Sequence, residues 1–81
     1  LVRAADFLVS SGRPAAAEAY AARAVSLAPD LAAAHRALGL AAISAGDRHT
    51  AARNLADYLR LAPDAPDAED IEAVLARLAE E

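Results

Sequence analysis

The chain has 81 residues, of which 26 are Ala, 11 are Leu and only three are aromatic: Phe7, Tyr20 and Tyr58. That length holds one domain at most; it excludes a deep cleft between two lobes, the lack of Cys excludes a disulfide framework, and no run of about 18 apolar residues is present to span a membrane. The net charge of −4 is unevenly placed: residues 1–66 carry seven Arg and six acids, residues 67–81 carry six acids and Arg77 alone, and the lack of any Lys argues against a nucleic-acid partner.

Ala, Leu, Glu and Arg favour helix, so the composition reads as all-α. Turn-forming residues divide the chain into five helical segments. The first covers 1–11, with Gly12 suited to the left-handed position after its last turn. Pro14 fits the first position of a second segment, 14–28, which Pro29 stops. Asp30 is expected to cap the third segment, which runs to about 45 and ends at Gly46. Asp47 is expected to cap the fourth, about 48–62, and Pro63 ends it. Asp67 is expected to cap the fifth, 67–81, with Asp70 in a capping-box-like position. Joints this short make consecutive helices antiparallel neighbours.

Sliding the chain by 34 residues superposes Gly12 on Gly46, Ala17 on Ala51, and Leu27-Ala28-Pro29-Asp30 on Leu61-Ala62-Pro63-Asp64. Alanine pairs coincide easily in such a composition. The Gly pair and the Leu-Ala-Pro-Asp pair do not, and they fall at the joints. With Leu38-Gly39, the Gly46-Asp47 turn, Ala51, Leu55, Leu59, Leu61 and Pro63, the second unit resembles a tetratricopeptide repeat. Phe7, Leu8, Gly12, Ala17, Ala24, Val25, Leu27 and Pro29 carry the pattern in the first unit. The sequence departs from it at His35, where a large apolar residue is usual. Ala21 replaces a large residue and Tyr58 a small one, two changes that could offset each other in volume.

The resemblance implies an all-α, right-handed α-α superhelix of antiparallel helix hairpins with five helices. It divides one domain, 1–81, into repeat one (1–31, truncated at its start), repeat two (32–65) and a capping helix (67–81). Packing logic agrees. Small residues at a crossing let helix backbones approach, and a hairpin with one apolar face must be covered by a neighbour. Ile71, Val74, Leu75 and Leu78 form one stripe on the fifth segment, with acids largely off it, which suits a solvating cap.

Reactive chemistry finds little footing. Ser10, Ser11, Ser26 and Ser44 lie in no nucleophile turn. His35 and His49, fourteen apart, lack metal-site spacing, and the acids of 64–72 lack the central Gly of a calcium loop. His35 reads as a semi-buried packing residue, His49 as exposed at a helix start, and Glu18 as a solvated acid with no carboxylate facing it. No cofactor and no metal site is expected, and no Gly-rich phosphate loop occurs.

In the family, the first helices of successive repeats line a concave groove that holds a peptide or a helix. Carried onto this chain, the partner-binding residues would be Val2, Asp6, Val9 and Ser10 from the first segment. Ala33, Arg36, Ala37, Leu40, Ile43 and Ser44 would come from the third. Asp6 and Leu40 stand where some members carry Asn to clamp a terminal carboxylate, and Lys is absent, so that clamp is not expected. A more apolar protein or peptide partner suits the patch, with Arg36 offering one charge-assisted bond. The fifth helix or a neighbouring repeat could instead fill the groove.

The expected function is a non-catalytic scaffold for protein–protein interaction. Two alternatives stay open: a structural or self-associating segment of a longer array, and an appendage of a larger enzyme. Neither nucleic-acid binding nor membrane insertion is expected. Cytoplasm is the default compartment, though the chain starts at Leu1 and an upstream targeting segment is left open. The Ala-rich, Lys-free usage resembles bacterial composition.

Overall fold

The computed structural model describes residues 13–80. Four helices occupy them: α1 (Pro14–Leu27), α2 (Ala32–Ala45), α3 (Arg48–Leu61) and α4 (Ala68–Glu80). They are the second to fifth segments expected from the sequence, with ends within a residue or so. The first segment, 1–11, lies outside the described residues. The architecture is all-α, with each helix packed against the next in chain order. Among the described residues no helix is long and apolar enough to cross a membrane.

The joints explain the boundaries. α2 ends on Gly46, whose φ of 81° is the left-handed conformation that glycine adopts without steric cost. The Asp47 amide donates back to the Ala42 carbonyl at 2.8 Å, closing the turn. Asp47 then caps α3, its carboxylate accepting from the Thr50 amide at 3.2 Å. Two residues thus end one helix and start the next.

The expected Asp30 cap is corrected. The N-cap of α2 is Leu31, with no side-chain cap bond. The Leu31 amide donates to the Ala28 carbonyl at 3.0 Å, and this turn starts the helix one residue later than a cap at Asp30 requires.

The 34-residue period is written in the backbone. Four bonds have counterparts 34 residues on. Ala17 N to Arg13 O (3.0 Å) matches Ala51 N to Asp47 O (3.1 Å), and Ala28 N to Ala24 O (2.9 Å) matches Ala62 N to Tyr58 O (2.8 Å). Leu31 N to Ala28 O (3.0 Å) matches Ala65 N to Ala62 O (3.1 Å), and Ala34 N to Leu31 O matches Ala68 N to Ala65 O, both 3.0 Å. Ala28 and Ala62 close their helices with nearly equal angles, φ −143° and ψ 74° against φ −136° and ψ 66°.

Two apolar clusters hold the helices together. Ala17 and Ala21 of α1 meet Ala37, Leu38 and Ala41 of α2, with Val25 at the margin. Leu55 and Tyr58 of α3 meet Ile71 of α4, flanked by Leu40, Leu59, Val74, Leu75 and Leu78. Ala21 and Tyr58 therefore belong to different clusters and do not offset each other in volume. Gly39 marks the α2–α3 crossing: a Cβ there would lie 2.5 Å from Leu55 Cδ2 and 2.6 Å from Leu55 Cγ. Only the missing side chain lets α3 approach this closely.

Candidate partner-binding face

Six of the residues projected onto a groove lie on α2, and the structure divides them. Ala33, Ile43 and Ser44 are exposed, Ile43 to 36%. Leu40 is half-buried, its inner side against the Leu55–Tyr58–Ile71 cluster. Ala37 is a correction: it is 4% exposed and packs with Ala17 and Ala21 of α1, so it offers nothing to a partner. Val2, Asp6, Val9 and Ser10 lie outside the described residues.

Arg36 is half-buried and already engaged. Its Nε donates to Asp67 Oδ2 at 2.7 Å, across 31 residues of sequence. The other oxygen of Asp67 accepts from the Tyr58 hydroxyl. Asp67, assigned by the sequence to capping, stands immediately before α4 and ties α2, α3 and the joint together. Tyr58, which donates to it, and Arg36 hold the Asp67 carboxyl below its ordinary range. The same bond to Asp67, with burial, pushes the Tyr58 hydroxyl up. Arg36 therefore brings a compensated charge to the α2 surface, and the face is more apolar than the sequence suggested.

A second polar cluster lies beneath α2. His35 is buried, 6% exposed, with Nε2 2.7 Å from the Pro29 carbonyl oxygen and Nδ1 2.9 Å from Asn54 Oδ1. Asn54 Nδ2 in turn donates to the Thr50 carbonyl at 2.9 Å. Among the described residues no buried side-chain nitrogen or oxygen lacks a partner. The expected packing role of His35 thus carries a hydrogen-bonding role with it. Asn54 escaped the sequence reading, although it falls on the helical stripe that α3 buries, with Ala51, Leu55 and Tyr58. A polar residue on such a stripe is the signal that it has a buried partner.

Glu18 is also corrected: a carboxylate does face it. A hydrogen bond shared with Asp47 is the largest cause of its raised pKa, with burial and repulsion adding to it. Asp47 moves the other way, lowered first by its bond to Thr50 and then by Glu18. Carboxyl pairs pushed apart in this way can serve as acid and base, and this pair is half-buried where α1 meets the start of α3. An open surface depression lies elsewhere, lined by Ala19, Tyr20 and Arg23 of α1. Among the described residues no three His, Asp or Glu side chains gather to hold a metal ion. His49, Ser26 and Ser44 are exposed.

The model of the tetratricopeptide repeat family matches residues 7–76. No curated protein and no solved structure matches the chain.

Proposed function

The chain belongs to the tetratricopeptide-repeat family, and from that premise we propose that it is a non-catalytic module holding a segment of a partner protein. Repeats of this family generally mediate protein–protein interaction. In this reading 1–31 and 32–65 are two stacked units of one domain and 67–81 is their solvating cap. The partner lies along α2, on Ala33, Leu40, Ile43 and Ser44, with Val2, Asp6, Val9 and Ser10 completing the groove.

The observation that carries this reading is the open side of α2. Leu40 and Ile43 remain accessible there, beside an Arg36 whose charge Asp67 already meets. Such a face suits an apolar segment better than an acidic one, because displacing Asp67 would leave its carboxylate without its cation. Affinity capture with the wild-type chain and an Ala33→Glu, Ile43→Glu variant tests it. Both positions are exposed, so helicity should survive. A protein kept by the wild type and lost by the variant supports the α2 face, whereas equal retention moves the contact elsewhere.

The self-association reading has one observation in its favour. On α1, Tyr20 and Leu27 are 44% and 70% exposed. Sedimentation over a range of concentrations decides it: a mass that rises for the wild type and not for Tyr20→Glu, Leu27→Glu would move it ahead.

A further inference from the structure

We propose that α4 is a displaceable internal ligand, and that the seat beneath it receives in trans an amphipathic helix whose apolar stripe is preceded by a carboxylate. The seat is apolar. Leu55 and Tyr58 of α3, flanked by Leu40 and Leu59, meet Ile71 of α4, with Val74, Leu75 and Leu78 beside it. Its polar end is one carboxylate: Asp67, immediately before α4, accepts from Arg36 of α2 on one oxygen and from the Tyr58 hydroxyl of α3 on the other. α4 thus brings one pattern to the seat, a carboxylate at 67 and apolar side chains at 71, 74, 75 and 78.

Three observations mark α4 as the helix that can leave. Only Ala68 and Ile71 of α4 are buried, whereas α2 buries seven residues. Among the described residues the α4 backbone comes close to that of α3 alone, while α2 lies against both α1 and α3. The latch is not part of the repeat: 34 residues before Arg36, Tyr58 and Asp67 the chain carries Val2, Ala24 and Ala33, which have no polar side chain to form it. α2 is therefore held by buried contacts, and α4 by fewer of them and one polar clasp. The clasp is partly solvated, with 41% of the Arg36 side chain and 27% of the Asp67 side chain exposed, so another carboxylate can reach it.

A helix of the same pattern exchanges carboxylate for carboxylate and stripe for stripe. Arg36 keeps an anion throughout, and Asp67 leaves with α4 into water instead of staying unpaired beside α2. The tethered α4 competes at the high effective concentration of a short linker, so the incoming helix binds only the fraction of chains with α4 released. Loosening the latch raises that fraction. The seat lies under α4 and not on Ala33 or Ile43, so the inference does not depend on the partner reading.

Fluorescence anisotropy of a dye-labelled, end-blocked peptide of residues 67–80, titrated with the full chain, tests this. The peptide should bind the Asp67→Asn chain about five- to tenfold more tightly than the wild type, because a charge-assisted bond no longer holds the competing helix. A peptide carrying the same substitution should bind that chain more weakly by a similar factor. Ala33→Glu, Ile43→Glu in the chain should leave the peptide's affinity unchanged, whatever it does to a partner on the open side of α2. In the wild-type chain, with isotope label confined to the chain, the peptide should speed amide exchange in α4 and leave α3 protected. Equal affinity for the two chains, no binding to either, equal affinity of the two peptides, or α4 exchange that the peptide leaves unchanged would overturn the displaceable helix. Loss of binding in Ala33→Glu, Ile43→Glu would put the peptide on the open side of α2 and overturn it as well.

Discussion

Helices α1 and α3 stand one 34-residue period apart and close their ends with the same backbone bonds, but different side chains hold them. α1 turns Ala17, Ala21 and Ala24 inward, whereas α3 buries Ala51, Asn54, Leu55 and Tyr58. At the shared positions Ala21 corresponds to Leu55 and Ala24 to Tyr58. α3 starts on the Asp47 cap; α1 starts after Arg13 with no side-chain cap bond. The repeat therefore fixes backbone geometry while leaving cohesion to be set separately in each copy. Alanine faces allow close approach but bury little area, and hydrophobic stabilisation follows area at about 25 cal/mol per Å².

The largest expected effect tests this contrast directly. Leu55 is fully buried, so Leu55→Ala should cost about 2–5 kcal/mol through lost transfer energy and a cavity. A chain of this size has roughly 4–12 kcal/mol in total, so the variant should be marginal or unfolded in thermal or urea denaturation. The same-register change in α1, Ala21→Gly, should cost only about 0.5–1 kcal/mol, chiefly through backbone entropy. Equal losses would show that the two helices are not held differently.

Gly39→Ala comes next. Alanine should gain about 1 kcal/mol from helix propensity. Against that, its methyl would meet Leu55 at 2.5–2.6 Å, and Leu55 is itself fully buried. Overpacking of this kind costs about 1–3 kcal/mol, so a net loss is expected, with α3 pushed off α2. Pairing it with Leu55→Ala in a double-mutant cycle should recover part of that loss.

Tyr58→Phe isolates the polar clamp from the packing. The ring remains and the bond to Asp67 goes, at a cost of about 1 kcal/mol for a partly solvated carboxylate. Asp67 also gives the clamp a pH dependence. Its folded-state pKa is lowered, so the stability it contributes is present above the ordinary Asp range and lost as pH falls through the folded value. Denaturation midpoints across the acid range should fall less steeply in Asp67→Asn than in the wild type.

What was legible in the sequence was local. Gly46-Asp47 and the two Pro-Asp joints act through their own backbone, so helix ends could be read within a residue or so. Asp30 failed because a cap depends on where the preceding turn closes, and that turn closes on Leu31. The polar links escaped because they join distant residues: His35 with Asn54, 19 apart, and Arg36 with Asp67, 31 apart. Ala37 was misread for a related reason. Helical spacing says which residues share a face of α2 but not that Ala37 lies on the side α1 covers. The family pattern points to the α2 surface only as an expectation, and the engagement of Arg36 with Asp67 is visible only once α4 and its joint are in place.

The smallest prediction sharpens the comparison from the weaker helix. Arg13 occupies the N-cap of α1, with Pro14 just inside the helix and no side-chain oxygen to accept a first-turn amide. At the same repeat position Asp47 performs that task for α3. Arg13→Asp would copy the cap and place a negative charge at the positive end of the helix dipole. It should stabilise the chain by about 0.5–1 kcal/mol, read as a higher denaturant midpoint and slower amide exchange in the first turn of α1. The gain should be local, because the alanine face that joins α1 to α2 is unchanged. If exchange slowed equally through α3, the two helices would form one cooperative unit despite their different cores, and the weaker packing of α1 would not make it the part that opens first.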